Sequence, residues 1–411
     1  EELIQNKEYI YLTLLVKCDL HHNMLFKILN TFRYNPEYCY SEITKNPFKF
    51  VMIPENIFSY EKAESICEKF ELDIDDSIKC KAWIYDFILF KNNQIFIEKQ
   101  FLYKHFYKTF PVSCSDILDK LLVYHPETES LCTLEAIYNI EKNMTKLMKS
   151  LYINKSRECV TDHKINTVTT NYEQTHEIKF TKKQSKAIYN AIIEKFSIIC
   201  GYPGTGKSTI ADCICSFYNN KTICLAAPTG IASNNIKLKC SSILQENLIS
   251  GTLHKLLFDT FIDLKTYPDV MIIDEFSMVD SVLFYRVLQW CSIFKCKLIL
   301  LADHKQLPPI SAGFPLHDLL NLNQCVVTYL TKIKRQNQGS LKNVILKLSS
   351  DELNPIEPKD IDKKSIFFFN YSKQNIKNLI EKYDLNASNC QFISPQHKHE
   401  EGTININNYL Q

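Results

Sequence analysis

Glycine is scarce in this chain and unevenly placed. Only eight of the 411 residues are glycine, none lies before position 201, and three stand in the segment GYPGTGKST, residues 201–209. Glycine adopts positive φ angles at little cost and lets other groups approach the backbone closely. We therefore expect this segment to form a loop whose backbone geometry few other residues tolerate.

The residues on either side of the loop indicate what it binds. FSIIC before it predicts a buried strand, TIADCICSFY after it predicts a helix, and the loop fits G-x-x-x-x-G-K-[ST]. In such a loop, backbone N–H groups and a helix N-terminus surround phosphate oxygens. Lys207 would reach the β- and γ-phosphates, and the Ser208 hydroxyl would hold Mg²⁺. The predicted phosphate-binding residues are Gly204, Thr205, Gly206, Lys207, Ser208 and Thr209.

Two later segments add polar side chains at predicted strand ends. VMIIDEFSMVD, residues 270–280, is an apolar strand that ends in Asp274 and Glu275. Asp274 could hold Mg²⁺ through water, and Glu275 could polarise an attacking water. LILLADHKQLPPISAG, residues 298–313, runs from a strand into a loop stiffened by two prolines. Gln306 in that loop could bond the γ-phosphate and report its loss.

The apolar pattern predicts an α/β fold. After Phe180, short apolar runs such as KTICLAA and CKLILLAD alternate with helical segments, which indicates a parallel sheet. Residues 1–112 indicate a mixed α and β region. Apolar residues at three- and four-residue steps predict one helix over 129–152, packed against the α/β domain. The polar stretch that follows it, residues 154–177, predicts a linker.

Composition excludes several classes of protein. The formal net charge of +2 is too small to indicate nucleic-acid binding by itself. No apolar run has the length of a membrane helix, and the first residues lack a signal-peptide pattern. The sixteen cysteines include no C-x-x-C pair, so we expect no zinc site. They indicate reduced thiols in a cytoplasmic or nuclear compartment.

Taken in order, these segments resemble the RecD-like group of superfamily 1 helicases, in the branch that moves 5′ to 3′. Residues 201–209, 272–280 and 302–313 are similar to its motifs I, II and III. FTKKQSKAI at 180–188 resembles the Q motif, LAAPTGIAS at 225–233 motif Ia, GTLHKLL at 251–257 motif Ib, and LTKIKRQ at 330–336 motif IV. The chain departs from the group at Ile231, where arginine is usual, and at Ala302, where glycine is usual.

The resemblance implies roles for further residues. Gln184 would read the adenine of ATP, and Arg335 would act as an arginine finger from a second domain. Lys207, Asp274, Glu275 and Gln306 would be catalytic, and ATP with Mg²⁺ would be the cofactor pair. Ile231 puts one nucleic-acid contact of motif Ia in doubt. The implied contacts to nucleic acid are Pro228, Thr229, Gly230, Thr252 and His254.

The resemblance also implies an organisation and a function. A mixed α/β accessory domain, residues 1–165, would precede a RecA-like motor domain, residues 166–325. Residues 326–411 would begin a second RecA-like domain, up to an inserted SH3-like domain, with motifs V and VI beyond Gln411. The expected function is an ATP-dependent 5′–3′ helicase or translocase in DNA repair, recombination or replication.

Its expected ligand is single-stranded DNA or DNA with a 5′ tail, and replication or repair proteins are possible partners. Two alternatives stay open at this point. One is a non-motor subunit that keeps the fold in order to bind DNA or a partner. The other is an RNA helicase of the same superfamily, since contacts to the backbone do not reveal which sugar is preferred.

Overall fold

The computed structural model describes residues 18–21, 24–25, 28, 35–53, 57–92, 94–153, 160–243, 245–259, 267–322, 324–332, 373–383, 394 and 403–410. The chain divides into two compact units, residues 1–335 and 336–411. The expected boundaries at 165/166 and 325/326 remain proposals, because the units alone do not define domains.

Short helices around a small sheet form the first part of the chain. Their starts follow from local capping: Asn35, Ser59 and Asp75 each accept a hydrogen bond from the first turn of the helix that follows. The sheet is antiparallel with the order β1-β3-β2. The elements are α1 Pro36–Lys45, α2 Tyr60–Phe70, α3 Asp76–Asp86, β1 Ile97–Glu98, α4 Lys99–Thr109, α5 Ser115–Leu121, β2 Leu122–His125 and β3 Thr128–Leu134.

The predicted helix over 129–152 is wrong at its start. Residues up to Leu134 belong to β3, which pairs with β2 through the Leu122–Leu134 register, and helix α6 spans Glu135–Ile153. The same apolar spacing suits both structures, and the short connection after His125 allows a hairpin that the periodicity does not reveal. The packing prediction is confirmed, because Met144, Met148 and Leu151 of α6 lie in the core of the large sheet.

The large sheet has six parallel strands in the order β6-β5-β7-β8-β4-β9. This architecture confirms the predicted RecA-like α/β fold. All residues of β4, β5, β7 and β8 are buried, which explains their continuous apolar sequences. The strands are β4 Phe196–Gly201, β5 Ile223–Ala227, β6 Leu248–Thr252, β7 Val270–Ile273, β8 Lys297–Ala302 and β9 Val327–Leu330.

Helices cover both faces of this sheet. One face carries α6 with α11 Leu253–Asp259, α12 Ser281–Phe294 and α13 Pro315–Asn321. The other face carries α7 Asp162–Thr175, α8 Lys182–Ile193, α9 Lys207–Phe217 and α10 Gly230–Lys239. Carboxyl ends of parallel strands share one edge, so the loops after β4, β5, β6, β7 and β8 all lie along it.

The predicted linker over 154–177 is wrong for most of its length. Residues Asp162–Thr175 form α7, whose Ile165 and Tyr172 are buried in the core of the sheet. The Tyr172 hydroxyl donates a 2.8 Å hydrogen bond to the Asp212 carboxylate of α9. Because few residues of α7 are apolar, its sequence resembles a linker although its two buried residues fix it to the sheet.

Two helices are described in the second unit, α14 Lys373–Tyr383 and α15 Thr403–Leu410. Across the described residues of the whole chain, no helix combines the length and the apolar character that crossing a bilayer requires.

Candidate active site

The loop after β4 has the backbone geometry that its glycines predicted. Gly204 and Gly206 have φ angles of 78° and 91°, in the region that glycine tolerates best. A Cβ on Gly201 would lie 2.8 Å from the Cβ of Leu330 on neighbouring β9. Backbone conformation therefore accounts for glycine at 204 and 206, and close packing accounts for it at 201.

Lys207 begins α9 and folds back over this loop. Its Nζ donates hydrogen bonds of 2.5 Å to the Gly201 carbonyl and 3.3 Å to the Tyr202 carbonyl. Ser208 and Thr209 occupy the first turn of α9, where backbone N–H groups lack intrahelical acceptors. The loop thus places an ammonium group and a helix N-terminus together, an arrangement suited to phosphate.

Thr205 and Gln184 stabilise the loop through hydrogen bonds to its carbonyl groups. The buried Thr205 donates from its hydroxyl to the Tyr202 carbonyl at 2.8 Å. Gln184, only 3% exposed, donates from Nε2 to the Thr205 carbonyl at 2.9 Å, and its Oε1 accepts from the Thr181 N–H at 2.9 Å. Both ends of this amide are therefore engaged within the protein. Its adenine contact stays a prediction, whereas its support of the loop was not expected from the sequence.

Asp274 and Glu275 follow β7, two strands away from the loop. Burial, and then the neighbouring Glu275, raise the pKa of Asp274, while Lys207 opposes the shift. Asp274 and Lys207 lie at the same edge of the sheet, because β7 and β4 are the two neighbours of β8. Glu275 has a φ angle of 53°, which is uncommon for a residue other than glycine. This strained conformation lies in the acidic motif itself, as is common at functional sites.

Gln306 lies on the loop after β8, the strand between β7 and β4. Its Oε1 accepts a 3.0 Å hydrogen bond from the buried Ser277 hydroxyl, which follows the acidic pair. The loop is held at its start because Asp303 Oδ1 accepts from the Lys305 N–H at 3.1 Å. Ser277 therefore links the acidic segment to the predicted γ-phosphate sensor. Sequence reasoning missed this serine, although it lies within the acidic motif.

A second link that was not predicted joins the same loop to the phosphate-binding loop. His304 Nδ1 lies 3.2 Å from the Cys200 Sγ, and its ring centroid is 5.5 Å from that of Tyr202. Burial raises the pKa of the Cys200 thiol to about 11, so the thiol is neutral at ordinary pH. Neither residue belongs to a pattern that spacing reveals, because the contact depends on the pairing of β4 with β8.

The predicted nucleic-acid contacts follow β5 and β6, further along the same edge. Ala227 and Thr252 are register partners on these strands, so the segments at 228–230 and 252–254 are neighbours. Thr229 and Thr252 accept hydrogen bonds from Ala232 N–H and Lys255 N–H, at 3.2 and 3.3 Å. The exposed residues of the predicted set are Gly230 and His254, and Pro228 is half-buried.

The structure thus brings most predicted residues to one edge of the sheet. Lys207, Asp274 and Gln306 follow the adjacent strands β4, β7 and β8, and the predicted nucleic-acid contacts follow β5 and β6. Arg335 lies outside the described residues.

Comparison with known proteins agrees with this geometry. The AAA domain family matches residues 179–363. The RecBCD enzyme subunit RecD of Buchnera aphidicola (Acyrthosiphon pisum) is 30% identical over 206 residues, which is 43% of this chain and 33% of that protein. The chain resembles RecD over 43% of its length. This confirms the predicted resemblance.

Other relatives are more distant. The ATP-dependent RecD2 DNA helicase of Deinococcus radiodurans is 27% identical over 194 residues, covering 45% of this chain and 25% of that protein. The chain therefore spans a third or less of the length of these two curated relatives. The crystal structure of Pif1 helicase from Candida albicans gives a TM-score of 0.35 at 18% identity, covering 52% of this chain and 56% of that one. This likeness is too weak to bear on function.

The residues present fit a nucleotide with Mg²⁺. Asp274 is a half-buried carboxyl without a described ion pair, and partial burial of such a group is unfavourable unless a cation compensates it. No cluster of three or more His, Cys, Asp or Glu side chains suited to a metal occurs in the described parts of the chain. A site of this kind suits Mg²⁺, which usually takes few protein ligands and several oxygens from water and phosphate.

Proposed function

We propose that this RecD-like chain belongs to an ATP-dependent 5′–3′ DNA helicase or translocase. The supporting observation is the placement of three features at one edge of a parallel sheet. They are a phosphate loop with positive φ angles at its glycines, Lys207, and the half-buried Asp274. The homology to RecD and RecD2 proteins favours a nucleic-acid motor over other users of this loop.

Each residue at the edge has a distinct proposed task. The positive φ angles at Gly204 and Gly206 turn backbone N–H groups toward the phosphates, and Lys207 leaves its loop carbonyls to pair with them. Ser208 and Asp274 would hold Mg²⁺, which neutralises charge on the phosphate oxygens. Glu275 would accept a proton from the attacking water. Gln306 would orient on the γ-phosphate and pass its loss to Ser277.

Coupling to movement requires a second domain. We propose that residues 166–325 form the first RecA-like motor domain, preceded by an accessory domain at 1–165. The remaining residues would begin the second motor domain, with Arg335 completing the site in trans. An arginine of this kind contributes roughly 10³ to 10⁵ in rate in related phosphoryl transfer. Closure of the two domains would therefore control the chemistry.

The proposed track is single-stranded DNA along the loops after β5 and β6. The exposed Gly230 and the threonines at 229 and 252 present backbone and hydroxyl groups of the kind that contact phosphates and sugars. Such contacts do not depend on base sequence, as translocation requires.

The deciding experiment measures ATP turnover by the natural full-length protein with no nucleic acid, with single-stranded DNA, and with RNA of the same sequence. We expect DNA to stimulate turnover more than RNA does. Greater stimulation by RNA would favour the RNA helicase. No turnover with either, together with retained DNA binding, would favour the non-motor subunit.

Lys207→Ala tests in the same assay whether the loop binds the reacting nucleotide. The side chain is half-buried and contacts only loop carbonyls in the described structure, so the fold should survive its removal. Turnover should fall at least about 100-fold, because a positioned cationic donor is lost from the phosphates. Unchanged turnover would show that the loop does not bind the reacting nucleotide.

A further inference from the structure

A cleft of about 820 Å³ lies between the N-terminal sheet and the large sheet, away from the phosphate loop. Its walls come from three places: residues 94–96 and 125–126, one face of α6, and residues 313–318. The last of these follow the loop after β8 that carries Gln306, here called the sensor loop. A volume of this size is that of a ligand-binding pocket. None of the residues assigned above to nucleotide or nucleic acid lines it.

One wall of the cleft is basic. Lys142, Lys146 and Lys149 of α6 line it, and their spacing of four and then three residues places them on one helical face. All three are exposed. Lys146 donates to Asn143 Oδ1 at 3.5 Å, but none of the three lysines forms an ion pair with a described residue. Three ammonium groups on one helical face, without an ion pair to a described residue, would attract a ligand that carries several consecutive negative charges.

Other parts of the lining are aromatic. Phe96, Tyr138 and Phe314 line the cleft, each partly exposed. Phe96 is held edge-on against His125, with ring centroids 4.9 Å apart, and Phe314 packs against His317 at 5.9 Å. Aromatic rings held in place beside cationic groups are the combination that binds single-stranded nucleic acid, since bases stack and phosphates pair.

A carboxyl group further restricts the ligand. Glu141 lines the cleft and its Oε1 is buried without a hydrogen-bond partner. Burial, and then Asp318, raise the pKa of Glu141, while the nearby Ser281 hydroxyl opposes the shift. A carboxyl group in this position disfavours a simple anion such as free phosphate. It suits a ligand that also carries N–H donors, as the amino groups of nucleobases do.

The cleft is connected to the sensor loop through the backbone. The Ala312 N–H donates to the Leu89 carbonyl of the N-terminal part at 3.1 Å. Gly313 has a φ angle of 93°, and a Cβ there would lie 2.1 Å from the Ser281 Oγ, so the loop end is tightly seated. Phe314 follows directly. A ligand on Phe314 therefore contacts the continuous segment that begins at Asp303 and carries Gln306.

We propose that this cleft is a second nucleic-acid site, which holds nucleotides of a single strand with phosphates on the α6 lysines and a base against the aromatic side chains. The inference rests on the proposed function as a nucleic-acid motor. It adds a contact outside the loops after β5 and β6, and it gives α6 and the N-terminal part a role in binding the strand.

The test compares two lysine pairs of equal charge. Lys146→Ala/Lys149→Ala removes two cations from the cleft, and Lys104→Ala/Lys108→Ala removes two exposed cations from α4. Binding of a dye-labelled oligothymidine is measured by fluorescence anisotropy, without ATP, at several salt concentrations. Loss of two phosphate contacts should reduce the slope of log affinity against log salt by about 1.4 for a single strand. The α4 pair should leave the slope close to that of the wild type.

Crosslinking locates the strand independently of charge. An oligonucleotide with 5-iodouracil should crosslink under light to Phe96, Tyr138 or Phe314, as identified by mass spectrometry of the peptides. A mononucleotide added in excess should compete weakly if a strand is the ligand, and fully if the cleft takes free nucleotides. Full competition would overturn the assignment to a strand.

Other outcomes separate this inference from the proposed function. Equal changes in slope for both lysine pairs, or no change for the cleft pair, would overturn the inference. If DNA still stimulates ATP turnover by the wild type, the proposed function stands. If the wild type neither binds the oligonucleotide nor hydrolyses ATP, both fail.

Discussion

The two halves of the first unit are built from different side chains. The N-terminal core is aromatic, with Phe48, Phe50, Phe58 and Phe106 among its largest buried residues. The large sheet is aliphatic in its strands, as in Ile272 and the run from Leu298 to Leu301. β-Branched and aliphatic side chains suit strands buried on both faces, whereas helices around a small sheet leave irregular spaces that aromatic rings fill.

Their polar groups differ more than their cores. In the large sheet, the strained or buried polar residues of the proposed site lie at the carboxyl ends of strands. Lys297, buried at the start of β8, is satisfied within the protein: its Nζ donates to the carbonyls of Ala191, Ile192 and Glu194, at the end of α8. Stability and chemistry are thus separated in space. Substitutions at the edge should change turnover more than folding, and substitutions in the N-terminal core should do the reverse.

Asp274→Asn should give the largest effect. Removing the proposed Mg²⁺ ligand loses several kcal/mol of transition-state stabilisation, so ATP turnover should fall at least about 1,000-fold. Asp269→Asn, near the opposite end of β7 and exposed, is the matched control and should leave turnover nearly unchanged. Steady-state ATPase assays decide this. Similar turnover in the two variants would contradict the proposal that the chemistry is confined to the carboxyl ends of the strands.

The same substitution should make the protein more stable. The pKa of Asp274 is raised above its ordinary value of 3.8, so ionisation opposes folding. Below that value the carboxyl is protonated in both states and Asn has no advantage. As pH rises from that value to the raised pKa of the folded state, the stability advantage of Asn grows. Above the folded pKa it stays constant. Thermal unfolding from pH 4 to 8 without Mg²⁺ measures it, and an advantage that shrinks with rising pH would refute the shift.

Phe106→Ala tests the N-terminal core. Phe106 is fully buried, 5.6 Å from Trp83 and 5.1 Å from Phe110 between ring centroids. The cavity should lower the free energy of unfolding by about 3–5 kcal/mol. Phe101→Ala on the same helix, where the ring is 45% exposed, should lower it much less. Denaturant titration compares the two, and ATP turnover per folded molecule should stay near that of the wild type. A loss of turnover as large as in Asp274→Asn would show that the two halves are not separable.

Tyr172→Phe tests how firmly α7 is held to the helix that carries the phosphate loop. Its hydroxyl donates to Asp212, whose other oxygen accepts from the Ser242 N–H at 3.0 Å. Removing the hydroxyl leaves a buried carboxylate oxygen short of a donor, so we expect a loss of about 1–3 kcal/mol in unfolding free energy. Tyr189→Phe, which removes an exposed bond to Asp162, should change it by less than about 0.5 kcal/mol. Equal effects of the two would mean that α7 is only loosely attached.

The comparison also shows which features of the molecule can be predicted from its sequence. The phosphate loop, the acidic strand end and the parallel sheet were all predicted, because each depends on residues adjacent in sequence. The hairpin at 122–134 was not, because the apolar spacing of β3 suits a helix as well. Helix α7 was not, because the bond from Tyr172 to Asp212 joins residues 40 positions apart. Local patterns identify an edge built from strand ends, but they do not identify a core assembled from separate helices.

Within the site, the same limit applies to supporting residues. Gln184, Ser277 and His304 contact the loop, the sensor and Cys200 only after β4, β7 and β8 align. The described backbone does not require glycine at every position where it occurs. Positive φ or close packing explains glycine at 204, 206 and 313, but Gly230 has no positive φ and nothing within 4 Å of an added Cβ.

Gly230→Ala gives the smallest expected effect and the sharpest division between structure and function. Gly230 is the first residue of α10, so alanine fits there and restricts the unfolded chain, which should stabilise the protein by about 0.4–1 kcal/mol. Gly206→Ala should destabilise it, because φ is 91° and the new Cβ would lie 2.6 Å from Gln184 Nε2.

If a phosphate approaches the backbone at Gly230, the same methyl group should weaken oligonucleotide binding while folding improves. Thermal unfolding and fluorescence anisotropy of both variants measure the two effects. Unchanged binding by Gly230→Ala would remove this residue from the proposed track. The glycine would then have neither a structural nor a binding requirement, and the proposed track would lose one of its two exposed residues, the other being His254 after β6.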